Sequence, residues 1–226
     1  MYRGVFIGWI GWLALPVGAI DIGPMTVALE PDQRFLARTI TNNSTTPKLY
    51  EVRVEKISDP TASGHPLALI PGELLYVPKR FVLHARQAQN IKLYYKGEED
   101  HQERYYRVTF TESPAAQVAD QAEEQRKGVL EMKLELQSVL VVRPRQIRFE
   151  YQLNPAEESI TNTGNTYFEF MVKQGCEQPD SQADSKYLLP GATYHNSKIG
   201  KPGNQQVIVY QSRFIPVGKA CWPETP

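Results

Sequence analysis

The stretch from residue 129 to residue 142 constrains the fold of this chain more than any other part of it. It reads VLEMKLELQSVLVV, and its first half alternates strictly between apolar and polar residues. In a strand, one face would therefore carry the apolar side chains Leu130, Met132, Leu134 and Leu136. Residues 139–142 are apolar on both faces, which predicts burial on both. At about 3.3 Å per residue the stretch would extend roughly 46 Å, well beyond the usual strand of about 5–6 residues.

This change of pattern has a consequence for function. A small domain can bury the second half of the strand in its own core, whereas the first half presents a long apolar row that one domain cannot easily cover. We therefore interpret the first half as a strand that another molecule helps to bury. The alternative stays open, because alternation is also typical of any half-buried antiparallel strand.

The amino-terminal residues predict a secretory signal peptide. Arg3 supplies the positive charge, residues 5–15 form the apolar segment, and Val17-Gly18-Ala19 resembles a signal-peptidase site. We expect cleavage after residue 19, so that residues 1–19 are the signal peptide. A membrane anchor is the alternative, but the apolar run is shorter than the roughly 20 residues of a span and ends at Pro16. No later segment predicts a span, so we expect no stable membrane insertion of the mature chain.

Charge and cysteine content narrow the function classes. The full chain has 25 basic and 25 acidic residues, and loss of Arg3 with the signal leaves 24 against 25, which argues against general nucleic-acid binding. Cys176 and Cys221 are the two cysteines, so an exported chain has one possible intramolecular disulfide. Two free buried thiols or an intermolecular bond are the alternatives. No CxxC motif is present, which argues against thiol–disulfide catalysis.

The remaining pattern predicts an all-β chain. Short runs rich in Val, Ile, Tyr, Phe and Thr are separated by Gly, Pro, Asn and Ser, as in β-sandwiches. About seven such runs precede the Arg143-Pro144-Arg145 junction and a similar number follow it, and about seven strands make one immunoglobulin-like domain. We predict two immunoglobulin-like β-sandwich domains in tandem, residues 20–143 and 144–226. The predicted strands are residues 25–29, 35–41, 49–57, 74–77, 90–95, 104–111, 129–142, 147–153, 158–161, 167–173, 186–189, 193–197, 206–211 and 213–216.

The two halves also share a short motif. Residues 40–43 read ITNN and residues 160–163 read ITNT, and each precedes a loop and then an aromatic-containing strand. This weak repeat fits two similar sandwiches in series. Pro144 would stiffen the junction between them, since proline cannot donate a hydrogen bond to a sheet.

No catalytic motif is found in the sequence. It contains no GxSxG, HExxH, Walker or GxGxxG pattern, and the four histidines have no metal-like spacing. We therefore predict a protein that is not an enzyme and that needs neither a cofactor nor a metal.

Several segments together point to a family. They are Glu103-Arg104-Tyr105-Tyr106-Arg107, the alternating strand that runs into Val141-Val142-Arg143-Pro144-Arg145-Gln146, Thr161-Asn162-Thr163-Gly164-Asn165, Tyr187-Leu188-Leu189-Pro190-Gly191 and Phe214-Ile215-Pro216-Val217. In their order and spacing the chain resembles the PapD-like periplasmic chaperones of the chaperone–usher pilus pathway, and especially the branch that serves the Escherichia coli common pilus. The resemblance covers the whole mature chain.

The resemblance implies a function for the long strand. Pilus subunits are sandwiches that lack one strand, and a chaperone of this family lends its seventh strand to fill the groove. By position, Leu130, Met132, Leu134 and Leu136 would be the subunit-binding residues. The resemblance also implies a periplasmic location, pilin subunits as partners and transfer to an outer-membrane usher, with no ATP site. Self-association of the unbound chain stays open.

One departure from the family concerns the anchor for the subunit's terminal carboxylate. Better-known members use an arginine on the first strand and a lysine on the seventh. Alignment of the motifs puts Thr26 near the arginine position and Val139 at the lysine position. Either other cations take their place or backbone donors hold the carboxylate. Arg104, Arg107 and Arg145 are the candidate cations, although surface or interdomain salt bridges explain them equally well. The resemblance also suggests that Lys92 and Glu103 form a charged pair between the domains.

Two other function classes are considered. A tandem immunoglobulin-like pilus or surface subunit, structural or adhesive, should carry its own alternating amino-terminal extension, and residues 20–29 are too short and proline-interrupted for that. A secreted hydrolase on a β-scaffold would need a nucleophile–base pair or a metal set, and the sequence shows neither.

Overall fold

The computed structural model describes residues 20–115 and 133–221. These ranges form four sheets, and the prediction of an all-β chain is confirmed. The strands are β1 (Ile20–Asp21), β2 (Thr26–Leu29), β3 (Phe35–Asn42), β4 (Lys48–Ile57), β5 (Pro66–Leu67), β6 (Leu74–Val77), β7 (Arg80–Leu83), β8 (Ala88–Tyr95), β9 (Arg104–Pro114), β10 (Leu134–Val142), β11 (Tyr151–Asn154), β12 (Ser159–Asn162), β13 (Phe168–Lys173), β14 (Asp184–Leu188), β15 (Thr193–His195), β16 (Gln205–Tyr210) and β17 (Arg213–Pro216). A short 3-10 helix lies at Asp180–Gln182.

The first sandwich contains the two sheets built from β1 to β10. One sheet has the order β1-β3-β8-β6, and the other has the order β2-β10-β9-β4-β5 with β7 also paired to β4. Alternate residues from both sheets point inward, as the two-residue period of a strand requires. The buried core includes Ile40 and Ile91 from the first sheet and Tyr106, Phe110 and Leu140 from the second.

The first strand region changes sheets part-way along its course. Ile20 and Asp21 in β1 pair antiparallel with β3, whereas β2 pairs parallel with the end of β10. Residues 22–25 cross from one sheet to the other. The crossing closes one side of the sandwich, and among the described residues it leaves residues 134–138 of β10 with β9 as their one strand neighbour.

The second sandwich is built from β11 to β17. Its sheets have the orders β11-β12-β15 and β14-β13-β16-β17, and its core includes Ile160, Phe168, Phe170 and Ile208. A disulfide joins Cys176, after β13, to Cys221, after β17, with 5.2 Å between their Cα atoms. This is the one intramolecular pairing that the cysteine count allows.

The ITN motifs have matching roles in the two sandwiches. The Nδ2 groups of Asn42 and Asn162 donate to the carbonyl oxygens four residues later, at Thr46 and Thr166, over 2.9 and 2.8 Å. Both asparagines are fully buried, and each side-chain oxygen accepts from the backbone N–H two residues on. The repeated motif therefore stabilises an equivalent turn in each half.

Some strand boundaries differ from the predicted ones. The predicted strand at residues 147–153 is observed at 151–154, because the carbonyls of Arg148 and Glu150 accept bonds from the 163–165 turn rather than from a strand. The strands β1, β5 and β7 are not among the predicted ones, and two of them are too short to show alternation. Leu130 and Met132 lie outside the described residues, so the first part of the predicted 129–142 strand is not described. The predicted division at residues 143 and 144 falls in the connection between the two sets of sheets.

Candidate functional site

The apolar row of β10 emerges from the core toward the start of the described strand. Leu140 is 1% exposed, Leu136 packs partly against the same core, and Leu134 is 39% exposed, although all three point to one face of β10. The row therefore begins as ordinary core at one end and becomes accessible at the other. An exposed leucine in line with a core row is suited to burial by a partner.

The backbone of the same segment has an open edge. Along its whole described length β10 pairs with β9, but it pairs with β2 only from Val139 to Val142. Residues 134–138 thus have a strand neighbour on one side only, among the residues that the structure describes. Unpaired N–H and C=O groups along such an edge can accept a strand from another chain.

The opposite face of this segment is polar. Glu135 lies 3.5 Å from Arg53, and the amide of Gln137 donates to Glu135. The two faces of one short segment therefore differ sharply in chemistry. Charged side chains beside an open strand edge oppose unspecific edge-to-edge aggregation.

A cleft of about 450 Å³ is lined by residues of both sandwiches, including Thr26, Val141, Arg143, Tyr167, Glu169 and Tyr187. Beside it, an apolar cluster formed by Ile57, Tyr105 and Val141 packs against Tyr167 and Leu189 of the second sandwich. The outward face at the end of β10 is therefore covered by the second sandwich, which explains why residues 139–142 are apolar on both faces.

A buried polar centre joins the two sandwiches. Nη1 of Arg143 lies 2.7 Å from Oε2 of Glu103 and donates to the Thr166 hydroxyl over 2.7 Å. The Thr166 hydroxyl donates to Glu103 over 2.6 Å, and the backbone N–H of Tyr167 donates to the same carboxylate over 2.9 Å. Burial alone would lower the pKa of Arg143, but the Glu103 carboxylate raises it above its usual value. The Glu103 carboxylate supplies the countercharge that a buried guanidinium requires, whereas the buried Nε of Arg143 has no hydrogen-bond partner among the described residues.

The structure gives Glu103 a different partner from the predicted one. Glu103 pairs with Arg143, whereas Lys92 is exposed on β8 between its register neighbours Ala37 and Val77. Sequence reasoning treated Arg143 only as part of the junction and missed Thr166. The position of Arg143 directly before the junction proline, Pro144, was the sequence signal that could have identified it as an interdomain residue.

Two of the three candidate anchor arginines are engaged elsewhere. Arg104 donates to both carboxylate oxygens of Asp100 over 2.7 Å, and this interaction lowers the pKa of Asp100 to about 2. Arg145 lies 3.3 Å from Glu99 and donates to the carbonyl of Pro31. Both arginines therefore hold the loop before β9 and the connection to the second sandwich.

Arg107 is placed differently. Its register partner on β10 is Val139, and the other neighbour of Val139 is Thr26 on β2. Thr26 and Val139, the positions predicted for the missing basic anchors, are thus side by side, and Arg107 is the next residue in the same row. Its guanidinium donates to the carbonyl of Gly64 over 2.8 Å and lies 4.0 Å from Glu55.

The described residues hold no group of three or more His, Cys, Asp or Glu side chains that could bind a metal ion. In residues 20–115 and 133–221, no helix is long and apolar enough to span a membrane.

A family model described as pili and flagellar-assembly chaperone, PapD N-terminal domain, matches residues 19–148, which is more than half of the 226 residues. The chain belongs to this PapD-like chaperone family. It is 32% identical over 215 residues to the probable fimbrial chaperone EcpE of Escherichia coli O18:K1:H7, an alignment that covers 95% of this chain and 91% of EcpE. The resemblance to the common pilus branch is thereby confirmed.

Solved structures share the fold of this PapD-like chain. The class 5 fimbriae chaperone CfaA has a TM-score of 0.57 at 14% identity, covering 88% of this chain and 98% of CfaA. The Salmonella enterica SafB chaperone, solved in complex with the SafA pilin, has a TM-score of 0.54 at 16% identity, covering 87% and 92%. The fold is thus two immunoglobulin-like sandwiches. The chain is a fimbrial chaperone and not an enzyme, and the alternative of a structural pilus subunit is not favoured.

Proposed function

We propose that this chain is a periplasmic chaperone that stabilises pilin subunits by donor-strand complementation and delivers them to an outer-membrane usher. The open edge of β10 is the main support, because within residues 20–115 and 133–221 the segment 134–138 has one strand neighbour, and Leu134 is exposed in line with a core row. In this mechanism a subunit that lacks one strand accepts β10 into its groove by β-strand addition.

Four apolar side chains would fill successive pockets in the subunit, and they are Leu130, Met132, Leu134 and Leu136. The last two lie on the core-facing side of β10, and the sequence alternation extends the row to the first two. Burying each contributes roughly 1.5–3 kcal/mol, or about 6–12 kcal/mol gross for four, before the cost of ordering is subtracted. Such a contact would also keep the open edge of the subunit from pairing with other chains.

Two observations support the partner and the compartment. SafB, which has the same fold, was solved in complex with a pilin. The predicted signal peptide at residues 1–19 and the disulfide between Cys176 and Cys221 both fit an exported protein in an oxidising compartment.

Arg107 is the best-placed of the three candidate arginines to hold the terminal carboxylate of a subunit. It lies in one row with Val139 and Thr26, and its acidic neighbour Glu55 is 4.0 Å away, whereas Arg104 and Arg145 lie 2.7 and 3.3 Å from acidic partners near the connection between the sandwiches. Its hydrogen-bond acceptors, the carbonyls of Gly64 and Ala62, are neutral, so a carboxylate would be a stronger acceptor for the same guanidinium.

The first experiment is periplasmic co-purification with pilin subunits encoded beside this chain. A Leu134→Glu variant places a charge on the donor face, and a Gln137→Glu variant places the same charge on the opposite face as a matched control. We expect a one-to-one complex with the parent and the control, and aggregated or degraded subunit with Leu134→Glu. Equal capture by all three proteins would contradict strand donation.

The anchor is tested with the same subunits. Arg107→Gln should weaken subunit binding by roughly 10- to 100-fold, since a hydrogen bond to a charged group contributes about 1.5–3 kcal/mol. Arg53→Gln is the control, because Arg53 is an exposed arginine on the adjacent strand β4. Arg107 is not the anchor if both variants bind with the affinity of the parent.

Self-association is a further expectation of an open edge. A second copy that pairs along residues 134–138 would cover Leu134 in the unbound protein. Sedimentation over a range of concentrations should then show a dimer that dissociates when subunit is added. A monomer at every concentration would show that the edge stays uncovered.

A further inference from the structure

Arg38 is a buried cation in the first sandwich. It lies on β3, points into the core and is 5% exposed. Among the residues that the structure describes, no carboxylate lies within ion-pair distance of it. A guanidinium in such a place is costly unless its N–H groups are satisfied by other acceptors.

The acceptors of Arg38 lie on two separate parts of the chain. Its Nη2 group donates to the carbonyl of Ile22 over 2.5 Å and to that of Pro24 over 2.7 Å, both in the segment that crosses between the sheets. Its Nη1 group donates to the hydroxyl of Ser138 over 2.5 Å. The face of the Phe110 ring lies 5.6 Å away and offers a cation–π contact.

Ser138 occupies a decisive position on β10. It is the last residue of the open edge, since pairing with β2 begins at Val139. Its side chain is 2% exposed and points to the same face as Leu136 and Leu140. The hydrogen bond from Arg38 therefore restrains the residue at which the open edge begins.

We propose that Arg38 is a positioning residue for the subunit-binding edge, acting through Ser138. The carbonyls of Ile22 and Pro24 hold the guanidinium in place, and the guanidinium in turn holds Ser138. Residues 134–137 are then held against β9 in one fixed position, with Leu134 presented at the open edge. Preorganisation of this kind strengthens binding because the edge loses less conformational entropy when a partner adds its strand. The inference rests on the proposed strand donation.

The physical alternative is a general role of Arg38 in core stability. A core role would lower the stability of the whole sandwich and would leave the edge no more mobile than other strands. A positioning role affects the edge selectively. The two roles can therefore be distinguished by comparing amide exchange in β10, which reports on the edge, with the urea midpoint, which reports on the whole protein.

The test uses the mature full-length protein and the variant Ser138→Ala, which removes one acceptor and leaves the two carbonyl bonds of Arg38. Ser159→Ala removes a buried hydroxyl from β12 in the second sandwich, and Ile40→Val removes one methylene from the core on the strand that carries Arg38. The readouts are amide hydrogen exchange along β10 and β8, the urea midpoint and the rate of subunit release.

We expect Ser138→Ala to speed exchange of the 134–137 amides and subunit release by about tenfold each, the size of effect that one hydrogen bond to a charged group supports. Exchange in β8 should change only as much as the urea midpoint does. The two control variants should lower the midpoint without a selective effect on the edge. Uniform changes in Ser138→Ala, like those of Ile40→Val, would overturn the positioning role.

The experiment distinguishes failure of the proposed strand donation from failure of the positioning role of Arg38. If the parent captures no subunit, strand donation is wrong, while exchange in the free protein still decides whether Ser138 and Arg38 hold the edge. If the parent captures subunit and exchange at 134–137 is unchanged in Ser138→Ala, the positioning role is wrong and strand donation stands.

Discussion

Glu103 and Arg143 form an ion pair of 2.7 Å whose side chains are 1% and 5% exposed, at the point where the first sandwich meets the second. Glu103 precedes β9, and Arg143 follows β10 directly. Because Thr166 and Tyr167 also contact the Glu103 carboxylate, one acidic side chain connects both sandwiches and the segment between them.

Replacement of Glu103 by Gln should be severely destabilising. It would leave the Arg143 guanidinium buried without a countercharge, and breaking such a pair typically costs about 3–5 kcal/mol. The free energy of unfolding from urea titration is the measurement. Glu150→Gln is the control, because the Glu150–Arg148 pair is more than half exposed and should contribute less than about 1 kcal/mol. Equal losses in the two variants would contradict this prediction.

Two leucines of β10 should affect different properties, Leu140 the stability of the free chain and Leu134 the binding of a subunit. Leu140→Ala removes a fully buried side chain and should lower the free energy of unfolding by about 2–5 kcal/mol. Leu134→Ala should cost less than about 1 kcal/mol because the side chain is already 39% exposed, yet it should weaken subunit binding. Urea titration and a binding assay on the same samples measure both effects. The prediction is wrong if Leu134→Ala destabilises the free chain as much as Leu140→Ala does.

Asp100 should contribute to stability in a pH-dependent way. Its hydrogen bonds with Arg104 lower its pKa from 3.8 to about 2 in the folded chain. A depressed folded-state pKa means that the stabilisation is complete above the unfolded pKa and is lost as the pH falls through the folded one. Asp100→Asn should therefore lower the urea midpoint at pH 7 and have little effect near pH 2.

Salt provides the control for Asp100. The side chain is 32% exposed, so solvent ions should screen part of the interaction with Arg104. The difference between the parent and Asp100→Asn at pH 7 should shrink in about 1 M salt, where the Debye length is about 3 Å. A difference that is constant from pH 7 to pH 2 would argue against a role for this carboxylate charge.

The disulfide should stabilise the second sandwich. Cys176 and Cys221 are 45 residues apart, and in the chain-entropy account closing a loop of that length contributes about 4 kcal/mol. A Cys176→Ser, Cys221→Ser double variant should unfold at a lower temperature than the parent, and reductant should lower the parent to the same value. Reductant should leave the double variant unchanged. Identical melting of the parent with and without reductant would contradict a stabilising disulfide.

Short-range sequence patterns predicted much of the fold. The two-residue period of residues 130–136 predicted a strand with one apolar face, and the described part of β10 from Leu134 has that alternation. Turn residues and β-branched runs located most other strands, because these preferences act within a few residues. The shortest strands escaped this reasoning, since two residues such as Pro66–Leu67 show no period.

The candidate site was only partly predictable. Leu134 and Leu136 were identified from alternation and from the family resemblance, and their use in subunit binding stays a prediction. The partner of Glu103 was predicted as Lys92 and is Arg143, because both lysine and arginine satisfy a charge pattern and only packing selects between them. Arg38 was not singled out, since an arginine in an alternating strand does not reveal whether it points inward.

The β class, the two similar halves, the family and the apolar row that ends at Leu136 could all be predicted from the amino-acid order, because each follows from short-range periodicity or from the order of motifs. The tertiary structure alone decided which part of β10 has an open edge, that Thr26 and Val139 are neighbours, and that Arg38 reaches Ser138 across 100 residues of sequence. Those relationships depend on strand register and on where the first strand changes sheets. Both are set by packing of distant segments, which leaves no periodic signal in any one of them.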